Sequence, residues 1–397
     1  MSPHVFLVAG EESGDRLGAS LIAALRRHAP GVRFSGIGGA HMAAAGVPSL
    51  FPLGELAIIG VGAIVAGLPR ILRRIGEAAD AVIAAKPDVL VIIDSPEFTH
   101  RVARRVRAVA PQIPIVDYVC PSVWAWRPGR ARAMRGYVDH VLALLPFEPA
   151  AMQRLGGPPT SFVGHPLGEK IADLRPNPDE ARRRLADPPI LLVLPGSRSS
   201  EIRRMAAVFG EAVALIADRV GALDVVVPAV PRLAAAVRAA TASWRVPVRV
   251  VTAAADKDLA FRTARAALSK SGTSTLELAV AGVPMVAAYK VSLLEELIGR
   301  AFIRVKSYIL ANLVLGENIV PEFLQYQVTP EALAGALLPL LADGPERRLQ
   351  TAAFARLDAL MAIGSAVPSD RAADVILECI PGLNQRPTGV ASAPPRA

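Results

Sequence analysis

The sequence predicts an α/β protein made of two doubly wound, largely parallel sheets in tandem. Three observations predict it: short, nearly continuous apolar runs of strand length, helical periodicity between them, and a restart of that alternation halfway along the chain. A chain of 397 residues that is 52% hydrophobic and 20% charged exceeds the usual size of one compact domain, so two domains are expected.

The first β-type run covers residues 5–9. A glycine-bearing turn follows, Gly10-Glu11-Glu12-Ser13-Gly14-Asp15, and then a helical pattern to about His28. Further apolar runs at 89–93, 115–119 and 141–145 read as strands covered on both faces, giving an N-terminal domain over 1–165. Residues 166–189, rich in proline and charge, read as a linker. Beyond it, runs at 190–194, 223–227, 248–251, 266–269 and 285–288 build a second α/β domain over 190–345. Helical patterns at 331–341 and from 346 to about 380 close the fold, and the proline-, glycine- and polar-rich tail 381–397 is expected to be disordered.

Residues 56–69 form the longest nearly uncharged apolar run, but at about 14 residues it falls short of the ~20 a spanning helix needs. Arg70-Ile71-Leu72-Arg73-Arg74-Ile75 then mixes apolar and basic residues as interfacial helices do. Val61, Ile64, Val65, Leu68, Ile71 and Leu72 are the expected membrane contacts; an internal helix with a basic outer edge is the equal alternative. The net charge of +9 suits phosphates, acidic headgroups or nucleic acid, and charge alone does not choose among them. Cys120 and Cys379 have no disulfide or zinc spacing, and the start lacks the basic region and cleavage site of a signal peptide, so a cytoplasmic protein is expected.

Ligands of open α/β sheets sit at the carboxyl ends of strands, which directs attention to three junctions. Leu194-Pro195-Gly196-Ser197-Arg198 opens a helix whose amides and dipole favour an anion, and Arg198 can add a bidentate contact to a diphosphate. Ser269-Lys270-Ser271-Gly272-Thr273-Ser274 leads small and hydroxylated residues into another helix. One turn inside it, Glu277 can accept both hydroxyls of a ribose. Either loop alone also reads as an ordinary N-cap. At Asp94-Ser95-Pro96-Glu97-Phe98, after the run 89–93, Asp94 is placed at the mouth of an interdomain cleft as a candidate general base, or else caps the following helix. The carboxylates Glu11, Glu12 and Asp15 and the absence of GxGxxG argue against a nicotinamide site in the first domain. That loop instead holds acceptor hydroxyls, or Glu12 orients the base, or its carboxylates are simply solvated.

These motifs, with Pro121-Ser122-Val123-Trp124-Ala125-Trp126, Ser307-Tyr308 and Asn312-Leu313, resemble lipid-A-disaccharide synthases over about residues 4–380. The resemblance implies a GT-B glycosyltransferase, two Rossmann-like domains with parallel sheets facing a central cleft. It implies transfer from UDP-2,3-diacylglucosamine to 2,3-diacylglucosamine 1-phosphate, forming a β-1,6 disaccharide and UDP. Carried over by position, Asp94 is the base with Glu12 beside it. Gly196, Ser197, Arg198, Gly272, Thr273, Ser274, Glu277 and Asn312 line the nucleotide side, and Ser13 and Gly14 the acceptor side. No cofactor and no metal are implied: Asp256-Lys257-Asp258 reads as an N-cap rather than a metal pair, and the six histidines have no ligand spacing. The implied partners are the two acylated sugars and the anionic inner face of the inner membrane, without nucleic acid, and a homodimer is an allowed assembly. The late stretch Pro321-Glu322-Phe323-Leu324-Gln325 reads as either a donor contact or a loop closure. Trp124 and Trp126 read as core, or as the wall of an acyl groove. A nucleotide-sugar epimerase and a non-catalytic lipid- or nucleic-acid-binding protein are the rival readings.

Overall fold

The computed structural model describes residues 2–56, 61–291, 307–363 and 366–383, with backbone alone for 61–68. The chain divides into two compact units, Met1–Pro166 with Ile363–Ala397, and Leu167–Ala362.

The first unit is built on six parallel strands: β1 (His4–Ala9), β2 (Arg33–Ile37), β3 (Val89–Ile93), β4 (Ile115–Tyr118), β5 (His140–Ala143) and β6 (Thr160–Phe162), in the order β2-β1-β3-β4-β5-β6. β1 and β3 are buried along their whole length because helices cover both faces. Phe6, Val8, Leu90 and Ile92 face one core, with Val102 and Val106 of the helix Pro96–Val109. Val5, Leu7, Val89 and Val91 face the other, with Leu21 and Leu25 of the helix Glu12–His28. That second core is completed by Ala372, Val375 and Ile376 of the C-terminal helix Pro368–Glu378, which is tied to the helix Glu12–His28 by Arg27–Asp370 at 2.5 Å and His28–Asp374 at 2.7 Å.

The second unit holds β7 (Ile190–Leu194), β8 (Asp224–Pro228), β9 (Val248–Val251), β10 (Ala266–Lys270), β11 (Met285–Tyr289) and β12 (Glu322–Leu324), again all parallel, in the order β12-β11-β10-β7-β8-β9.

The sequence reading lacks β2, β6 and β12. All three are sheet edges whose residues are largely half-exposed, so they carry no continuous apolar run. The expected linker 166–189 belongs, from Leu167 on, to the second unit. Its helix Pro178–Leu185 has an Asn177–Glu180 capping box, and the nearly buried Arg184 donates to the carbonyls of Phe261, Arg262, Ala281 and Gly282. The expected helical region 346–380 is likewise shared: Pro345–Ala355 and Leu357–Met361 lie in the second unit, and Pro368–Glu378 in the first. Residues 384–397 of the tail lie outside the described residues.

Candidate active site

Each sheet has one place where neighbouring strands send their connections to opposite sides, and such switch points open a crevice at the strand ends. In the first unit it falls between β1 and β3, in the second between β7 and β10. The loops singled out in the sequence are the ones that leave these four strands.

In the first unit two glycines bring the loops after β1 and β3 together. A Cβ on Gly10 would lie 2.4 Å from that of Ser95, and one on Gly14 would lie 3.0 Å from the carbonyl oxygen of Ile93. Ser13 Oγ then reaches Asp94 Oδ2 and donates to it at 2.8 Å. Asp94 Oδ1 accepts the Ser95 amide at 2.8 Å, and the Asp94 carbonyl accepts Thr99 Oγ1 at 2.7 Å. Asp94 and Ser95 are both left-handed, with φ of 54° and 48°. Because Asp94 bonds the amide of the N-cap residue itself, it does not act as a capping side chain, which takes the second or third helical amide.

The other carboxylates of the first loop have different tasks. Asp15 is buried and accepts the amides of Gly39, His41 and Met42 at 2.6, 2.9 and 3.0 Å, so its charge is spent on the start of the helix Ala40–Ala44. Glu12 is exposed and pairs with Arg16 at 3.7 Å. The role of orienting Asp94, expected of Glu12, is taken by Ser13, because the first helical turn carries position 13 toward β3 and position 12 outward.

Beside Asp94 is a cavity of about 200 Å³ whose walls include Val119, Pro121, Trp126, Arg127 and Arg130. Glu97 also lines it and is shared by Arg101 and Arg127 at 3.5 Å each and by Arg130. Burial raises the Glu97 pKa, but Arg130, Arg101 and Arg127 together outweigh it and hold the carboxyl below its ordinary value. The two tryptophans part company here. Trp124 packs edge-on to Phe147 at 5.1 Å and donates to the buried Glu148 at 3.2 Å, whereas Trp126 is exposed under the Arg127 guanidinium at 4.3 Å. Arg127 and Arg130 escape sequence reasoning; the basic Arg127-Pro128-Gly129-Arg130 turn after β4 is the signal that points to them.

In the second unit Gly196 has φ of 137°, and a Cβ there would meet that of Glu201 at 2.5 Å. This closeness lets the buried Glu201 accept the Ser197 amide at 2.9 Å, Arg198 Nη1 at 3.2 Å and Lys270 Nζ at 3.1 Å. Burial raises the Glu201 pKa, yet Lys270, the Ser197 amide and Arg198 hold it below its ordinary value. One carboxylate thus joins the loop after β7 to the end of β10 and leaves a surplus positive charge at the start of the 22-residue helix Ser199–Val220. Arg198 remains largely exposed at that helix start. Gly272 and Thr273 lead into the helix Ser274–Val280, where Glu277 pairs with Lys257 Nζ at 3.2 Å. Asp256 and Asp258 lie inside the helix Ala254–Thr263, whose N-cap is Ala253, so the expected capping role of that triplet does not occur. Among the described residues no group of three or more His, Cys, Asp or Glu side chains is placed to hold a metal ion.

Asn312 is buried and fully committed. Its Nδ2 donates to Ser307 Oγ at 3.2 Å and the Val320 carbonyl at 3.0 Å, and its Oδ1 accepts the amides of Ile319 and Val320 at 3.1 and 2.9 Å. It is a loop anchor rather than a free donor contact. Gln325 Oε1 accepts the Val291 amide at 2.7 Å, and Glu322 accepts the Tyr308 amide at 3.1 Å and Ser307 Oγ at 3.0 Å. The late polar motif therefore bonds Val291, Ser307 and Tyr308, and residues 292–306 lie outside the described residues.

Of the expected membrane contacts, Val61, Ile64, Val65 and Leu68 have side chains outside the described residues. In the same helix, Val61–Ala85, Ile71 packs partly against the core and Leu72 is exposed. Arg74 is half-buried and held by partners on three sides. It bonds Glu55 at 2.6 and 2.9 Å, pairs with Glu77, and covers the Phe51 ring at 4.7 Å. Among the described residues no helix is long and apolar enough to cross a membrane.

Among solved structures, MurG of Acinetobacter baumannii is 17% identical with a TM-score of 0.58, covering 95% of this chain and 99% of its own. A UDP-N-acetylglucosamine 2-epimerase described as putative, from Listeria monocytogenes, is 15% identical with a TM-score of 0.59, covering 96% of each chain. At these identities the likeness establishes the GT-B fold and does not choose between transferase and epimerase. Sequence does choose. Lipid-A-disaccharide synthase of Nitrobacter hamburgensis is 61% identical over 95% of this chain and 96% of its own, and that of Rhodopseudomonas palustris strain HaA2 is 58% identical over 95% and 96%. The family model described as lipid-A-disaccharide synthetase matches residues 5–365, across both units and all four switch-point loops, and the chain belongs to that glycosyltransferase family.

Proposed function

We propose that this chain transfers the sugar of UDP-2,3-diacylglucosamine, with inversion, to 2,3-diacylglucosamine 1-phosphate, forming a β-1,6 disaccharide 1-phosphate and UDP. The observation that carries the mechanism is the Asp94 carboxylate. It ends a buried strand at a switch point, is held by Ser13 and Ser95, and borders a cavity. Asp94 removes the proton of the acceptor 6-hydroxyl as that oxygen attacks the anomeric carbon. The bond from that carbon to the diphosphate oxygen breaks, and its electron pair leaves on UDP. Arg198, Lys270 and the amides opening the helix Ser199–Val220 stabilise the departing diphosphate without a metal. Glu277 accepts the ribose hydroxyls once Lys257 gives way, Gly272, Thr273 and Ser274 allow close approach of the nucleotide, and Asn312 shapes the donor side indirectly.

Acylated substrates require access to a lipid surface. In this reading the protein works peripherally at the anionic inner face of the inner membrane through the helix Val61–Ala85, and the exposed Leu72 and Arg70 support it. The deciding experiment is product analysis with radiolabelled acylated UDP-glucosamine and the acylated sugar 1-phosphate. A labelled disaccharide 1-phosphate is expected only when both are present. Interconversion of the UDP-sugar alone, with no disaccharide, overturns the proposal in favour of an epimerase.

A further inference from the structure

We infer that the cavity beside Asp94 is an anion subsite in which Arg127 and Arg130 hold the phosphate of the acceptor while its attacking hydroxyl rests on Asp94. The inference rests on the proposed function and goes beyond it by assigning the residues that recognise the acceptor. Three observations carry it.

The first is placement. Asp94, Arg127 and Arg130 all line one cavity of about 200 Å³, which brings a carboxylate and two guanidiniums to a single pocket. In the acceptor the 1-phosphate and the carbon bearing the 6-hydroxyl hang from the two ring carbons that flank the ring oxygen, so one small pocket can present a cation to the first and a base to the second.

The second is charge. Arg101, Arg127 and Arg130 all meet the single carboxylate of Glu97, three positive charges against one negative. With Asp94 as the cavity's second carboxylate, the three guanidiniums still leave a net positive charge of one, the sign that favours a phosphate monoester, which carries about −1.5 to −2 near neutral pH. Arg130, largely buried and gripped by Glu97, is already oriented. Arg127 is exposed and stacked on Trp126, so it can swing onto an anion at little cost.

The third is strain. Among the described residues, six other than glycine have positive φ: Lys86, Asp94, Ser95, Val119, Arg127 and Gln325. Asp94, Val119 and Arg127 line the cavity and Ser95 adjoins it. Val119, at φ of 98°, is β-branched and especially costly to hold there. Such strain persists where the surrounding structure fixes a functional geometry.

The test compares two acceptors, the acylated sugar 1-phosphate and the same sugar without phosphate, in the wild type and in Arg127→Gln/Arg130→Gln. For the wild type, loss of the phosphate is expected to raise the acceptor KM about tenfold or more, as loss of charged hydrogen bonds does. In the double variant the two acceptors are expected to have nearly equal KM values, with the KM for the UDP-sugar unchanged. Should the double variant misfold, Arg127→Gln alone, at an exposed side chain, is expected to narrow the ratio severalfold. A wild-type ratio retained in the folded variant overturns the assignment, and so does a rise in the UDP-sugar KM in place of the acceptor KM. Wild-type protein that makes no disaccharide from either acceptor overturns the proposed function itself, and the subsite falls with it.

Discussion

Ser13 Oγ donates to Asp94 Oδ2 at 2.8 Å, joining the first helical turn after β1 to the end of β3. With the Ser95 amide on the other oxygen, the carboxylate is fixed in one orientation. Asp94→Asn is expected to lower kcat by about two orders of magnitude or more, as loss of a general base does. Ser13→Ala is expected to lower kcat by roughly tenfold with little change in either KM, because it frees the carboxylate without removing it. Glu12→Gln is expected to stay near wild type. A disaccharide assay with both substrates varied checks all three, and full activity in Asp94→Asn would remove it as the base.

Arg198 and Lys270 share Glu201, and this sets the charge at the helix start. Arg198→Ala is expected to reduce kcat/KM for the UDP-sugar by about 10- to 100-fold, the range for a charge-assisted hydrogen bond. Arg198→Lys is expected to recover part of this, since a point charge replaces a bidentate one. Isothermal titration with UDP gives the ground-state share of the loss.

Asn312 has all four of its hydrogen-bonding positions occupied by the protein. Asn312→Ala leaves the amide and the carbonyl of the buried Val320 without partners and is expected to cost about 2 to 4 kcal/mol of stability. Urea unfolding measures this loss. A variant of unchanged stability that has selectively lost UDP affinity would instead make Asn312 a direct contact.

Glu148 is buried against Trp124 and the amides of Leu144 and Leu145, and burial pushes its pKa up from 4.5 to about 7. The folded state therefore holds this proton more tightly than the unfolded chain. The stabilisation is complete below the unfolded value and is lost as pH rises through the folded one, by roughly 3 kcal/mol. His165 has the opposite slope, because burial lowers its pKa from 6.5 to about 4 and stability falls as pH drops between those values. Comparison of wild type with Glu148→Gln isolates the carboxyl. Relative to the variant, the wild type is expected to weaken between about pH 4.5 and about pH 7 in denaturant titrations, and parallel profiles would refute a raised pKa.

At the helix Val61–Ala85, replacing Val61, Ile64, Val65, Leu68 and the exposed Leu72 by serine is expected to release the protein from anionic vesicles. Wild-type binding is expected to weaken as salt rises. Arg74→Ala is expected to lower stability, since that side chain bonds Glu55 and covers the Phe51 ring. Sedimentation with vesicles of mixed neutral and anionic lipid reads the first effect, and unchanged sedimentation of the serine variant would exclude this face.

The two parallel sheets and the loops worth reading are legible in the amino-acid pattern, because central strands covered on both faces must be written as largely continuous apolar runs, as β1, β3 and β7 are and as β10 is up to Ser269. The order of the motifs was enough to reach the family. Tertiary structure alone decided the strand order, hence which loops share a switch point, and the edge strands β2, β6 and β12, whose exposure erases their pattern. It also decided which polar residue does what. Ser13 rather than Glu12 steadies Asp94, Glu201 joins Arg198 to Lys270, Asn312 is spent on its own loop, and Arg127 and Arg130 share a pocket with Asp94. Apolar patterning is a local property repeated along the chain, whereas a polar side chain takes its role from partners that packing alone brings within hydrogen-bond reach.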